Sequence, residues 1–315
     1  MELSRVVSGL QRLSVSAIIP TRDRPADLRR AVESILRQTR LPDELLIVDQ
    51  SADDMSKQGV LDYFGRTGST IKLVYIHDSR INGLVEAKVR GVLESTGNVV
   101  SFLEDDIVLM PDYFLLMEQG FLEHPEMLGC SGVVTNAPDC GPAYRWLFKL
   151  FHCGIFSDPR IDLHGRYDRS ARGRLVRSRY LSGGLSAYRR EVLERVPFDA
   201  VNDFFMLEDI EYSTRTAKVF GDEHFYVNTA VRLEHHMSPV NRERSGFRWE
   251  RKFREYICFY KKHREEPGAV LQLAWLLVGL GLEAVFVSLR TLSSGPLLGA
   301  IRGLVHGFRF RLRSL

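Results

Sequence analysis

Glycine-rich phosphate loops are missing from this chain of 315 residues. No G-x-G-x-x-G follows its first apolar run and no G-x-x-x-x-G-K-[ST] is present, which excludes a dinucleotide fingerprint and a P-loop. Cysteine is scarce. Cys130, Cys140, Cys153 and Cys258 show no C-x-x-C spacing and no histidine at zinc-finger distance. They read as reduced thiols and exclude a disulfide framework. Neither sign of charge dominates: the formal net charge is +3, so no nucleic-acid partner is expected. Internal repeats and low-complexity blocks are absent. Met1 to Leu13 lacks a long apolar run, so no secretory signal is expected.

What is present is an apolar run, Val99 to Leu103, that stops at Glu104, Asp105 and Asp106. Three adjacent carboxylates repel one another, and each loses hydration inside a fold. A chain that keeps them at a strand end commonly has a cation to pair with; the alternative is a solvated acidic turn. Similar runs occur upstream. Strands are predicted over 15–20, 44–48 and 71–76, separated by helices around 27–36, 55–64 and 85–93. Near-continuous apolar strands alternating with helices predict an α/β fold: a mostly parallel open sheet, Rossmann-like, with helices on both faces. Ligands of such sheets bind beyond the carboxyl ends of the strands. Those ends carry Thr21 and Asp23, Asp49 and Gln50, and Glu104 to Asp106. With no phosphate loop, any phosphate there must be neutralised by a metal and by basic side chains.

Several pieces in this order carry a family resemblance. They are Ala17 to Arg24, Ser34 to Thr39, Leu45 to Ser51, Asn82 to Gly91, and Phe102 to Asp106. Residues 15–112 resemble the family 2 glycosyltransferases, which have the GT-A fold. The resemblance implies transfer of a sugar from a nucleotide-diphosphate sugar to an acceptor, with Mn²⁺ or Mg²⁺. It implies a donor pocket lined by Pro20, Thr21, Asp23, Arg24, Asp49, Gln50, Lys88 and Asp105. It implies that Glu104-Asp105-Asp106 stands for a D-x-D motif, with Asp106 and Glu104 as metal ligands. Three positions depart from the family pattern. Gln50 stands where a second aspartate is frequent, Glu104 where the first motif acid is aspartate, and Ala87-Lys88-Val89 where Ala-Arg-Asn is common. Lys88 can still meet a phosphate as a point charge.

Leu181 to Leu193 resembles the family's glycine-containing strand facing the donor sugar, with Gly183 and Gly184 permitting close backbone approach. Glu208 and Asp209 open a helix, where acids are favourable without any chemistry. The resemblance assigns Asp209 as the base that deprotonates the acceptor in an inverting transfer, with Glu208 nearby. His235 or His236 would complete the metal site, and Arg242 and Arg244 would lie near the leaving diphosphate. Between these blocks, Tyr144 to Phe151 is expected first as a core helix and second as a contact for an amphipathic acceptor or bilayer. Arg160, Arg166, Arg169, Arg172, Arg174, Arg177 and Arg179 form a basic run, either a solvated face or a phosphate contact.

Pro267-Gly268 marks a boundary. The stretch 269–289 is apolar and long enough to cross a bilayer, but lysines and arginines flank it on both sides, against a single crossing. Residues 296–308 are a second apolar stretch, which forms either the return limb of a re-entrant hairpin or a segment in the interface, and both options keep the two ends cytoplasmic. The expectation is a GT-A domain over 14–265 and a membrane-associating helical tail over 266–315. That places a metal-dependent inverting transferase at the cytoplasmic face of the membrane, acting on a glycan or lipid-linked acceptor. A sugar-phosphate nucleotidyltransferase is the rival, weakened by the missing glycine-rich loop. A catalytically inactive membrane adaptor is another, weakened by the intact acidic motifs.

Overall fold

A computed structural model describes residues 12–162, 173–202, 204–240 and 245–314. The four apolar runs are strands: β1 (Val15–Thr21), β2 (Glu44–Asp49), β3 (Lys72–His77) and β4 (Val99–Phe102). They pair in parallel in the order β3-β2-β1-β4. Every residue of β1, β2 and β4 is buried, as continuous apolar strands require when both faces are covered. One face is covered by α1 (Pro25–Leu36), α2 (Met55–Thr67) and α4 (Tyr113–Glu123). The other is covered by α3 (Leu84–Glu94), α6 (Arg190–Arg195) and α7 (Glu208–Phe220).

Beyond β4 the sheet becomes mixed. β8 (Ser186–Arg189) inserts antiparallel between β4 and β6 (Gly129–Val134). β9 (Phe225–His235) runs parallel to β6, and β5 (Ile107–Leu109) and β7 (Leu175–Arg177) pair antiparallel with β9. At the amino-terminal end of the parallel strands, the buried Glu44 carboxylate accepts four hydrogen bonds, from Ser16 Oγ, Lys72 Nζ, and Thr96 N and Oγ1. Burial pushes its pKa up, but these donors outweigh burial and bring it down to about 2.

Residues after β9 form a third layer from α8 (Ser245–Lys262), α9 (Ala269–Thr291) and α10 (Gly295–Arg309). Trp249, Phe253 and Ile257 of α8 and Leu273, Leu276 and Leu280 of α9 share one apolar core with Phe156, Phe204 and Leu207. α10 lies against α8 through glycines four residues apart. A Cβ on Gly299 would stand 2.1 Å from Gly246 O, and one on Gly303 2.4 Å from Glu250 O. Only a bare Cα lets the two backbones approach that closely.

The aromatic stretch 144–151 corrects its first expectation. It lies on the helix α5 (Gly141–Phe151), but Tyr144, Trp146, Leu147 and Leu150 are exposed and Arg145 is its buried residue. Its last turn meets α9, where Trp275 Nε1 donates to Leu150 O at 2.7 Å.

Candidate active site

The register of β5 builds the centre of the site. β5 follows the acidic cluster immediately and pairs Ile107 with His235, the last residue of β9. The His236 N–H donates to Asp106 O at 2.8 Å and locks the crossing. His235 Nε2 thereby stands 3.0 Å from Asp106 Oδ1 and 3.1 Å from Glu104 Oε2. One ligand atom from each of these three residues lies within 4.8 Å of the others. Asp106 Oδ1 is buried without a well-formed hydrogen bond, while Oδ2 accepts from Ser238 N at 2.8 Å. Two carboxylates and an imidazole converging on one point suit a borderline or hard divalent cation. Contact with Asp106 and then Glu104 raises the His235 pKa to about 10, so a proton sits where a cation would. Burial pushes the Asp106 carboxyl up, but His235 and the Ser238 N–H outweigh it and the pKa is lowered. His236 turns away, is exposed, and pairs with Glu234 at 2.9 Å.

Asp105 faces the opposite side of the cluster. It is buried and accepts from Thr21 Oγ1 at 2.7 Å and Arg24 Nη1 at 3.0 Å. Burial raises its pKa to about 6 against the opposing effect of Arg24 and Thr21. Asp105 therefore ties the β1 turn to the β4 end. Asp23, in that turn, has φ of 54°, a left-handed conformation that aspartate tolerates, and its N–H donates to Ser51 Oγ.

A cavity of about 370 Å³ opens here. Pro20, Thr21, Arg24, Gln50, Lys88, Glu104, Asp105, Asp106, Gly184 and His235 line it, all of them expected from the sequence. Arg22, Gly83, Leu84, Leu103, Phe205 and Met237 also line it and were not. Asp49 does not line the cavity. It is fully buried, with Tyr75 Oη donating to Oδ2 at 2.6 Å and Ser51 N to Oδ1 at 2.9 Å. Gln50 Oε1 accepts from Gly83 N at 2.9 Å and so joins the β2 end to the start of α3.

Gly183 and Gly184 separate the two acidic clusters. A Cβ on Gly184 would stand 2.3 Å from Glu104 Oε1, and one on Gly183 would stand 1.9 Å from Glu208 Oε1. The pair of glycines admits a carboxylate on each side. Lys88 Nζ donates to Glu208 Oε1 at 2.6 Å and to Gly183 O at 2.9 Å, and is buried. Burial holds the Glu208 carboxyl above its usual range, with Lys88 opposing. The Lys88 charge is thus engaged by Glu208 within this structure.

Asp209 follows at the start of α7. Its Oδ1 accepts from Ile210 N at 2.8 Å, and its Oδ2 lies 2.7 Å from Arg160 Nη1 and 3.4 Å from Gly183 N. The loop that delivers this acidic pair is held from α8. Glu255 Oε2 accepts the backbone N–H groups of Phe205, Met206 and Leu207 at 3.2, 2.8 and 2.9 Å. Burial raises the Glu255 pKa to about 7. Nothing in the sequence singles Glu255 out for this task. Arg166, Arg169, Arg172, Arg242 and Arg244 lie outside the described residues.

Open sheet, mixed right-hand half and carboxylates beyond the strand ends together make the GT-A architecture. Mannosyltransferase PcManGT from Pyrobaculum calidifontis, in complex with GDP-Man and Mn2+, shares it with a TM-score of 0.60 at 15% identity, over 95% of this chain and 88% of that one. GalNAc-T7 with UDP, GalNAc and Mn2+ gives a TM-score of 0.59 at 15% identity, over 80% of this chain and 48% of that one. At such identities the likeness is one of fold. Residues 16–196 match the model of Glycosyl transferase family 2, and the chain belongs to that family. The uncharacterized protein y4gI of Sinorhizobium fredii is 34% identical over 128 residues, 40% of this chain and 14% of that protein. A glucosyl-dolichyl phosphate glucuronosyltransferase of Haloferax volcanii is 29% identical over 127 residues, 39% of each. The chain thus spans well under half the length of these curated relatives.

Proposed function

We propose that this chain is a metal-dependent inverting glycosyltransferase that moves a sugar from a nucleotide-diphosphate sugar to a membrane- or lipid-linked glycan. The observation that carries the reading is the convergence of Glu104, Asp106 and His235 at the edge of the 370 Å³ cavity. These three would hold Mn²⁺ or Mg²⁺, and the buried Asp106 Oδ1, facing His235 Nε2 and Glu104, fits that use. Bound there, the cation would supply Lewis-acid stabilisation of the departing diphosphate. The other roles fall to side chains. Pro20, Thr21, Arg24, Gln50 and Leu84 line the donor pocket, with Asp23 and Asp49 bracing the strand ends behind them. Asp105 fixes Thr21 and Arg24, and Gly183 and Gly184 make room for the donor sugar between the acidic clusters. Asp209 takes the acceptor hydroxyl proton as that oxygen attacks the anomeric carbon, and Glu208 with Lys88 supports the segment beside it. The test is nucleoside-diphosphate release from UDP-glucose and GDP-mannose with and without Mn²⁺. Metal-independent release, or release of pyrophosphate, would end the proposal.

We further propose that residues 14–265 form the catalytic domain and that 266–315 hold it on the cytoplasmic face of the membrane. α9 is 23 residues long and apolar enough to cross a bilayer. Yet Leu273, Leu276, Leu280 and Ala284 on one side of it are buried against the protein, and Lys252 Nζ of α8 pairs with Glu283 at 2.7 Å. A crossing would carry the Lys252 and Glu283 charges into hydrocarbon, at a cost of several kcal/mol or more each. The opposite side exposes Leu271, Trp275, Val278, Leu282, Phe286 and Leu289. A helix with that division lies in the interface plane. Co-sedimentation with phosphatidylglycerol vesicles tests this, and full recovery in the supernatant would refute it.

A further inference from the structure

Arg160 sits on a short 3₁₀ turn, Pro159–Asp162, remote in sequence from every acidic motif. It nevertheless joins two carboxylates. Its Nε and Nη2 donate to Asp158 at 2.9 and 2.7 Å, a bidentate grip, while Nη1 donates to Asp209 Oδ2 at 2.7 Å and to Ser182 Oγ at 3.3 Å. The guanidinium lies over the Tyr180 ring at 5.9 Å and is only 12% exposed. All three guanidinium nitrogens donate.

We infer that Asp158 and Arg160 are positioning residues that set the basicity of Asp209; this rests on the assignment of Asp209 as the base. A carboxylate paired with arginine alone stays ionised but gives up basicity, since protonating it strands a buried cation. Asp158 removes that penalty. When the acceptor O–H bond breaks and its proton moves to Asp209, the guanidinium keeps a full bidentate partner. The acceptor oxygen meanwhile forms its bond to the anomeric carbon, and the bond from that carbon to the diphosphate oxygen breaks. Its electron pair leaves on the nucleoside diphosphate. Arg160 also fixes direction: with Oδ1 capping Ile210 N and Oδ2 held by Nη1, the carboxylate has one orientation, edge-on to Gly183. The other groups around Asp209 are Glu208 on its own helix, itself paired with Lys88 of α3, Tyr188 of β8 and Tyr256 of α8. Of these the Lys88–Glu208 pair is internally neutral, so among the described residues Arg160 and Asp158 are the charges that decide Asp209.

The two residues act with opposite sign, and that separates this role from a merely structural one. Replacing Arg160 by Gln removes a cation and exposes Asp209 to Asp158. The acid limb of the pH–rate profile for nucleoside-diphosphate release then rises by about one unit or more. D158N removes an anion and leaves the arginine to Asp209 alone, so the limb falls. R160K restores the charge but not the fork, and returns the limb toward wild type with a lower kcat. If UDP-glucose and GDP-mannose both fail as donors, the thiol of D209C replaces them as reporter. Its iodoacetamide alkylation, read at that peptide by mass spectrometry, titrates higher with R160Q and lower with D158N. Limbs or thiol titrations that stay put, or that move the same way in both variants, overturn the inference. Wild-type turnover by D209N overturns the base assignment as well; an inactive D209N with unmoved limbs overturns this inference alone.

Discussion

Gly184 and Glu104 touch so closely that a Cβ on the glycine would stand 2.3 Å from the carboxylate oxygen. The Glu104 N–H donates to the carbonyl of the same glycine at 3.1 Å. Backbone and side chain of Glu104 are therefore set by a residue eighty positions away in sequence. G184A should push Glu104 off the cluster while Asp106 and His235 remain. Mn²⁺ affinity by calorimetry should fall about 10- to 100-fold, the usual cost of disturbing a ligand's support. Unchanged affinity would remove Glu104 from the ligand set.

The His235 proton gives metal binding a pH dependence of known sign. Without metal, the two carboxylates hold the histidine pKa at about 10, so the ring is protonated at neutral pH. A cation must displace that proton. Mn²⁺ affinity should therefore rise with pH, by about tenfold per unit while one proton is exchanged. Calorimetry in two buffers of different ionisation enthalpy should count close to one proton released at pH 7. In H235Q the release should vanish. The linkage for folding runs the other way. The histidine pairing stabilises the metal-free fold fully below its unfolded pKa near 6.5, and that contribution is lost as pH rises through about 10.

Glu44 governs acid stability far from the site. Its folded pKa, about 2, lies below the ordinary glutamate value of 4.5. Its contribution is thus present above pH 4.5 and lost as pH falls toward 2. E44Q should cost on the order of 2–3 kcal/mol at pH 7. It should also flatten the pH dependence of urea unfolding across that window. An equal loss at all pH values would mean that shape rather than charge matters there.

Much of the left half of the fold was legible in the sequence because its signals are local. Val15 to Pro20 and Leu45 to Val48 are continuous apolar runs, and a strand buried on both faces needs nothing else. The cluster Glu104 to Asp106 stood out for the same reason, three charges stopping an apolar run. What the sequence could not show was register. The meeting of His235 with Asp106 depends on β5 pairing antiparallel with β9 across more than a hundred residues. Asp49 looked like its counterpart at the β2 end, yet Tyr75 from the neighbouring strand takes one of its oxygens. The aromatic helix α5 misled because apolar content alone cannot tell a buried face from one left open. Arg160 was visible only as one member of a basic run, and nothing nearby in sequence points to Asp209.

The α8–α10 contact makes a packing prediction. Gly303 faces Glu250 O at a distance no side chain fits, so G303L should unseat α10. The loss should be about 2 kcal/mol or more, read as a drop in Tm. L282E on the exposed side of α9 should leave Tm within about 1 °C of wild type, since a surface change of this kind costs little. It should abolish vesicle co-sedimentation. A stable L282E protein that still sediments with vesicles would place the membrane contact elsewhere.

In the proposed mechanism Glu104, Asp106 and His235 hold a catalytic divalent cation on the donor diphosphate. The most direct measurement is nucleoside-diphosphate release from UDP-glucose and GDP-mannose by wild type and D106N, each with Mn²⁺ and after EDTA. Release by the wild type that requires Mn²⁺, falls at least about 100-fold in D106N, and yields no pyrophosphate is the result expected. Release that survives EDTA, or a D106N variant as active as wild type, would contradict it.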